Sequence, residues 1–248
     1  MRLDVFFGAH HVAPGDTAGR VVAIIDVLRA STSIAVALAN GARAVVPLDT
    51  SEEVVTRAKT FARSEVRLAG EQKMLPIPGF DFGNSPREFT SDAVGGKTVL
   101  ICTTNGTRAV TAVQGARDVV IASYVNFTAV LTLLRMALRG GADVAIVCAG
   151  RNRQFSLEDA ACAGRFVDHV TSGLTSVELN DAALAARLID RTYGDDLAGL
   201  FLASAHGRAL DDAGFGEDLP VCAAVDAYGV VPIYHERQIT KLGPGRER

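Results

Sequence analysis

Short β-branched runs alternate along the chain with longer stretches of helical periodicity. Apolar runs at Leu3–Phe7, Val21–Val27, Ala44–Leu48, Val66–Ala69, Lys97–Cys102, Val119–Ala122, Val144–Cys148, Val221–Val225 and Val230–Tyr234 predict strands. Between them, Ser31–Asn40, Ser51–Ser64, Thr107–Val113, Asn126–Leu138, Leu157–Val170, Asp181–Tyr193, Leu197–Ala203 and Gly207–Ala213 predict helices. This alternation implies an α/β fold with a largely parallel or mixed sheet and helices on both faces. The early strands are apolar at every position, as strands covered on both sides should be. One long irregular stretch, Gly70–Glu88, is rich in Gly, Pro and Asn. A loop of that length inside a compact domain usually carries function or mobility.

The chain also echoes itself. Val22–Ile25, a polar turn with Arg29, a helix, Gly41-Ala42-Arg43 and Val45-Val46 form one strand-turn-helix unit. Val99–Cys102, the turn Thr103–Thr107, a helix, Gly115-Ala116-Arg117 and Val119-Val120 form a second. Gly141-Ala142-Asp143 before Val144 repeats the exit. Glycine just past a helix end takes the left-handed conformation that closes the helix, and the next strand starts at once. The echo fits either one α/β domain over 1–248 or two related lobes, about 1–95 and 96–248, sharing an active-site cleft.

Composition narrows the class. The 248 residues carry a formal net charge of −3, with 48% hydrophobic and 21% charged residues. A nucleic-acid-coating protein needs a clustered basic surface, which this balance argues against. The longest apolar runs, Ile34–Ala39 and Val144–Ala149, are far shorter than the ~20 residues that span a bilayer. Asp4 interrupts the N-terminal apolar stretch, unlike a secretory signal. Four scattered cysteines without CxxC spacing read as buried thiols in a reduced, cytoplasmic protein.

In parallel α/β sheets ligands bind beyond the carboxyl ends of strands, and that rule selects four segments. Asp26 ends an apolar strand, with Arg29 and three hydroxyls after it. It could ligate a metal or act as a base, or simply pair with Arg29 while Ser31 caps the helix. Thr103-Thr104-Asn105-Gly106-Thr107 occupies the matching place in the second repeat and suits an anion nest, or an Asn105 cap. Gly96-Lys97-Thr98 nearby is no phosphate loop, since it enters a strand and Ser91 stands where the first Gly should be. Cys148 through Asp159 joins Arg151 and Arg153 to Glu158 and Asp159, with Ser156 to Asp159 fitting a capping box. Adjacent acids on a helix point about 100° apart, so the two should serve different roles. Ser204-Ala205-His206-Gly207-Arg208 offers an acid–base group and a cation, and Asp226 adds an acid after Val221–Val225. Arginines on one rim imply an anionic ligand, and acids among them imply a divalent cation, Mg²⁺ given the oxygen ligands.

Read together, these blocks resemble the 2-phosphosulfolactate phosphatase family from Val21 to Pro232. The landmarks are Ile25–Ala30, Gly70-Glu71, Gly79–Pro86, Thr103–Thr107, Cys148-Ala149-Gly150 with Phe155–Asp159, Ser204–Arg208, and Asp226 with Val231-Pro232. Two stretches depart from the pattern: Gln72-Lys73-Met74 replaces a glycine-rich run, and Arg151-Asn152-Arg153 is more basic. The resemblance implies an α/β, Mg²⁺-dependent enzyme of coenzyme M biosynthesis that hydrolyses 2-phospho-3-sulfolactate to sulfolactate and phosphate. The alternatives are a phosphatase for another small phosphorylated carboxylic acid, or a non-catalytic anion-binding protein. The expected partner is a small anionic phosphorylated substrate, with no nucleic acid or membrane and homo-oligomerisation open.

On this reading Asp26, Glu71 and Asp159 supply metal ligands or orient water, and Asp26 and His206 are catalytic, His206 as general acid. Arg29, Thr103, Thr104, Asn105, Gly106 and Thr107 cradle one anionic end, Asn84 and Ser85 contact substrate from the long loop, and Arg208 clamps a sulfonate or carboxylate.

Overall fold

A computed structural model describes residues 1–13 and 15–243, the side chain of Thr107 excepted. The strands are β1 (Arg2–Phe6), β2 (Val21–Ile25), β3 (Ala44–Pro47), β4 (Val66–Gln72), β5 (Leu75–Pro76), β6 (Thr98–Cys102), β7 (Asp118–Ala122), β8 (Val144–Cys148), β9 (Glu178–Leu179), β10 (Pro232–His235) and β11 (Gln238–Lys241). The α-helices are α1 (Ala30–Ala39), α2 (Ser51–Ala58), α3 (Ser91–Val94), α4 (Gly106–Ala112), α5 (Phe127–Arg139), α6 (Leu157–Thr171), α7 (Asp181–Tyr193), α8 (Leu197–Ala203), α9 (Ala205–Leu210) and α10 (Asp218–Cys222). The α/β class is as expected, and the sheet is open, mixed and mostly parallel, in the order β5-β4-β6-β3-β11-β10-β7-β2-β8-β1-β9.

Both faces of the central strands are covered. Val21, Ala23 and Ile25 of β2 join one core with α5 and α6, while Val22 and Ile24 join the opposite core with α1 and α4. That is why these strands read as unbroken apolar runs. The repeat exits close as predicted. Gly41, Gly115 and Gly141 take φ of +90°, +84° and +83°; Ala42 and Ala142 each donate to a carbonyl five residues back, as a Schellman cap requires, whereas Ala116 donates only three back, to Val113. All four cysteines are buried and free. Among the described residues, no helix is long and apolar enough to cross a membrane.

The two repeats, β2-α1-β3 and β6-α4-β7, exchange strands. β2 pairs in parallel with β7, and β3 pairs in parallel with β6, so each repeat's first strand lies beside the other's last. The antiparallel hairpin β10–β11 bridges the pairs, β10 against β7 and β11 against β3. β6 also pairs with β4, so residues on both sides of position 95 belong to one sheet. β2 and β6 are five strands apart, about 24 Å in a flat sheet. Yet Ile24 of β2, Pro47 of β3, Ile101 of β6, Ile121 of β7 and Ile239 of β11 line one small void. The sheet therefore curls tightly around this core, bringing the turns after β2 and β6 together.

Several expectations are corrected. Val221–Val225 is no strand: Val221 and Cys222 end α10, a turn follows, and β10–β11 fills the central place in the sheet. The helix from Ser51 stops at Ala58, where the chain turns and Phe61 packs beneath the β3–β4–β6 block. The irregular stretch after Gly70 begins as strand, because β4 continues through Gln72 into a hairpin with β5. The tail from 244 lies outside the described residues.

Packing of α6 on α7 yields a stability test. A Cβ at Gly164 would stand 2.0 Å from the Ala186 carbonyl oxygen, a backbone atom. Gly164→Ala must therefore push the helices apart, at about 2–3 kcal/mol, lowering the thermal midpoint by roughly 5–10 °C. At Gly141 a Cβ meets nothing within 4 Å, so only the left-handed φ opposes alanine. Gly141→Ala should cost about 1 kcal/mol. Thermal unfolding of the two variants checks the contrast.

Candidate active site

The turn after β2 is built around Asp26. Its N–H donates to Ser31 Oγ at 2.9 Å, its carbonyl accepts the Ser31 N–H at 2.8 Å, and its Oδ1 accepts the Ala30 N–H at 3.3 Å. Ser31 thus closes the turn rather than capping α1, and Asp26 does not pair with Arg29. The turn after β6 meets it directly. A Cβ on Gly106 would lie 3.2 Å from Asp26 Oδ2 and 3.0 Å from Ala30 Cβ, so a small residue lets the repeats touch here. The side chain of Thr107 lies outside the described atoms. Asn105 does not cap α4; its Oδ1 accepts the Asn152 N–H at 3.2 Å.

Glu71, near the end of β4, accepts the Thr104 N–H at 2.8 Å with one oxygen and the Met74 N–H at 2.9 Å with the other. It ties the β6 turn to the β4–β5 hairpin. Asp159 works differently from its expected role as a metal ligand. Its two oxygens accept the Val27 N–H at 2.9 Å and the Gly150 N–H at 3.2 Å, stapling the turns after β2 and β8 from behind the site. Ser156 makes no capping bond. The neighbouring Glu158 points elsewhere, as adjacent helix positions must. Its Oε1 lies 3.1 Å from His206 Nδ1, and its buried Oε2 has no hydrogen-bond partner. Ser204 caps α9 by accepting the Gly207 N–H at 2.9 Å, and Gly207 lacks the Cβ that would stand 2.0 Å from the Phe201 carbonyl. Serine and glycine on either side of His206 thus fix where the imidazole sits.

Arg29 is buried and committed. Its guanidinium donates to Asp218 Oδ2 at 2.8 Å and the Met74 carbonyl at 3.1 Å, and lies 4.4 Å over the Phe215 ring. Ser85 Oγ donates to Asp218 Oδ1 at 2.6 Å and does not line the cavity, which corrects its expected substrate contact. Asn84, beside it, does line the cavity, with its buried Oδ1 unpartnered. Arg208 is not brought to the site either. It is exposed, and its Nη1 donates to the carbonyls of Leu202 and Ala203. Asp226 follows a turn rather than a strand and accepts the Thr128 N–H and hydroxyl.

What converges is a cavity of about 440 Å³ lined by Asp26, Arg29, Glu71, Asn84, Thr103, Thr104, Asn105 and His206, with Lys73 and Arg151 also on its wall. A broader cleft of about 900 Å³ adjoins it across Glu71 and Thr103–Asn105. The inner wall is strongly acidic. Burial pushes the Asp26 carboxyl up to about 6, Glu71 and Glu158 add to the rise, and His206 with the Ala30 N–H partly offsets it. Asp159 is pushed well above the carboxylate range by burial, Glu158 and Asp26. Burial works upward on Glu158 too, but its bond and charge pairing with His206 outweigh it and hold the group low. Sequence reasoning missed Asp218 and the Glu158–His206 pair. The first has no local signal 189 residues from Arg29, and the second depends on which of two adjacent acids turns inward.

A family profile described as 2-phosphosulpholactate phosphatase matches residues 9–237. A probable 2-phosphosulfolactate phosphatase of Symbiobacterium thermophilum is 44% identical over 227 residues, 92% of this chain and 96% of that protein. One of Clostridium acetobutylicum is 36% identical over 96% of this chain and its own full length, and one of a Synechococcus strain 39% over 84% and 86%. The chain belongs to the 2-phosphosulfolactate phosphatase family. The family match spans every cavity residue from Asp26 to His206.

The Asp26 carboxyl gives a pH signature in metal-free buffer. In the folded chain it takes up a proton near pH 6, whereas in the unfolded chain it does so near its ordinary 3.8. Between these values the folded state holds the extra proton, so stability falls as pH rises through that window, by on the order of 3 kcal/mol. Asp26→Asn should flatten this part of the profile and melt higher than wild type above pH 6. Denaturant midpoints at pH 4 and pH 7.5 with EDTA provide the comparison, and parallel profiles would contradict it.

Proposed function

We propose that the chain hydrolyses 2-phospho-3-sulfolactate to 3-sulfolactate and inorganic phosphate with Mg²⁺. The observation that carries this reading is one cavity joining two acids, buried Asp26 and half-buried Glu71, to a carboxylate-held imidazole, His206. The family's name and those of its relatives support this ester as the substrate.

The residues fit a hard divalent cation. Asp26 is desolvated among Glu71, Glu158 and Asp159, with His206 as the cation acting on it. Apart from the His206 imidazole, the ligand groups of the wall residues Asp26, Glu71, Asn84, Thr103, Thr104 and Asn105 are carboxylate, hydroxyl and amide oxygens. Among the described residues no group of three or more His, Cys, Asp or Glu could hold a metal ion unaided. That suits Mg²⁺, which keeps waters and takes one or two carboxylates plus substrate oxygens. Asp26 and Glu71 would hold it, and when bound it would neutralise charge on the non-bridging phosphoryl oxygens.

The chain's own groups supply the rest. Thr103, Thr104 and Asn105 present polar side chains along the wall where the phosphoryl group would lie. Asn84 offers an unpaired amide oxygen, which a substrate or bound-water donor would satisfy. Glu158 occupies His206 Nδ1, leaving Nε2 for the ester. Hydrolysis adds water's hydroxyl to phosphorus and its proton to the departing alkoxide, and His206 is placed to deliver that proton. General-acid assistance of this kind is worth roughly 10²–10⁴-fold.

Phosphate release from 2-phospho-3-sulfolactate, with Mg²⁺ and with EDTA, tests the reading. Wild type should turn over only with the metal, and Asp26→Ala should lose at least about 10²-fold in kcat/KM. His206→Asn should lose about 10²-fold or more on this ester, but far less on an aryl phosphate whose leaving group needs no proton. Full activity in EDTA would remove the metal from the mechanism. Equal losses on both esters would remove the proton-transfer role.

A further inference from the structure

Two hairpin tips border the same cavity. β4 and β5 join through Lys73 and Met74, with φ of +53° and +71° between paired Gln72 and Leu75. Arg151 and Gln154 exchange backbone hydrogen bonds of 3.0 and 2.8 Å around Asn152 and Arg153, at +51° and +62°. Two-residue turns of this kind favour Asn-Gly, whereas these carry long basic side chains. Lys73 and Arg151 both line the cavity.

Their charge state sets them apart from the other cation there. Arg29 is neutralised by Asp218. Among the described residues neither Lys73 nor Arg151 has a carboxylate within ion-pair distance, and the Arg151 side chain donates only to the Ala205 carbonyl. The cavity is therefore polarised, with acids at Asp26 and Glu71 and, at Lys73 and Arg151, cations without carboxylate partners among the described residues. A ligand that suits both carries a phosphoryl group with its cation at one end and a permanent anion at the other. In the ester proposed above, the carboxylate shares a carbon with the ester oxygen, whereas the sulfonate sits on the next carbon and reaches further. Its three oxygens can accept from donors on both sides at once.

We infer that Lys73, at the tip of the β4–β5 hairpin, and Arg151, at the base of the second turn, grip the sulfonate and set the preference for a sulfonated ester. This rests on the phosphatase reading, and it replaces Arg208, which the fold keeps outside the cavity.

The matched pair 2-phospho-3-sulfolactate and 2-phospholactate differs only by the sulfonate. With the full chain, Lys73→Ala/Arg151→Ala should lose about 10²-fold in kcat/KM on the first, chiefly through KM, and stay within about threefold on the second. Lys73→Arg should retain most of the preference. Lys73 is exposed on its turn and Arg151 is half-buried beside its own, and an unchanged melting temperature confirms folding. Equal losses on the two esters, or an unchanged preference, would overturn the inference. Calorimetric binding of 3-sulfolactate against lactate separates this from failure of the phosphatase reading. A wild-type chain that binds sulfolactate more tightly, and loses the difference in the double variant, supports the grip even without turnover. A wild-type chain that releases phosphate equally from both esters refutes the grip and leaves the phosphatase standing.

Discussion

A carboxyl group held out of water where two repeats touch is the constraint around which the site is arranged. Asp26 lies against Gly106 of the opposite repeat, and its ionisation is opposed by burial and by further acids nearby. The Ala30 N–H and the imidazole of His206 recover only part of that cost. A site whose own charges disfavour one another is weakly stable when empty and gains most from a ligand that supplies the missing cation. The acid wall and the cations opposite it are thus two halves of one electrostatic problem, which the proposed Mg²⁺-bound ester would answer at both ends.

The curl of the sheet makes the meeting possible. Because the repeats exchange strands about a central hairpin, the turns after β2 and β6 belong to different parallel blocks yet face one cavity. Close approach is then required of the backbone itself. A Cβ at Gly70 would stand 2.5 Å from the Cys102 carbonyl, one at Gly106 about 3.0 Å from Ala30, and one at Gly207 2.0 Å from the Phe201 carbonyl. Each glycine sits beside a residue of the cavity wall: Glu71, Asn105 and His206. Close-packed backbone holds these side chains more exactly than a flexible loop could, which an in-line phosphoryl transfer demands.

Most of the architecture was legible because it rests on local rules. Doubly covered strands announce themselves as unbroken apolar runs, and glycine exits mark where helices end. The short strands β5 and β9 escaped, since a two-residue strand has no periodicity of its own. Val221–Val225 misled because a buried helix turn and a buried strand share the same apolar signature. Within the site, strand-end placement found Asp26, the Thr103–Asn105 turn and His206, and the family resemblance added Glu71; all of them line the cavity. Placement does not say which way a side chain turns. Asp159 and Glu158 are adjacent in sequence, yet one braces backbone amides and the other holds the imidazole. Ser85 and Asn84 divide likewise, one toward Asp218 and one toward the cavity.

Arginine shows the same limit in energetic form. Strand-end position makes Arg29 look like the anion receptor, but Asp218 already compensates it, both side chains being almost wholly buried. Removing either partner would strand a buried charge, at about 3–5 kcal/mol. A guanidinium so held gains little from an arriving anion, because it would have to surrender one partner to take another. Its effect is mechanical: it anchors the Met74 carbonyl, and with it the tip that carries Lys73. Lys73, exposed, and Arg151, half-buried, have no carboxylate partner among the described residues and keep their attraction for a ligand undiminished. The buried ion pair therefore serves recognition by fixing the position of cations that remain free to bind.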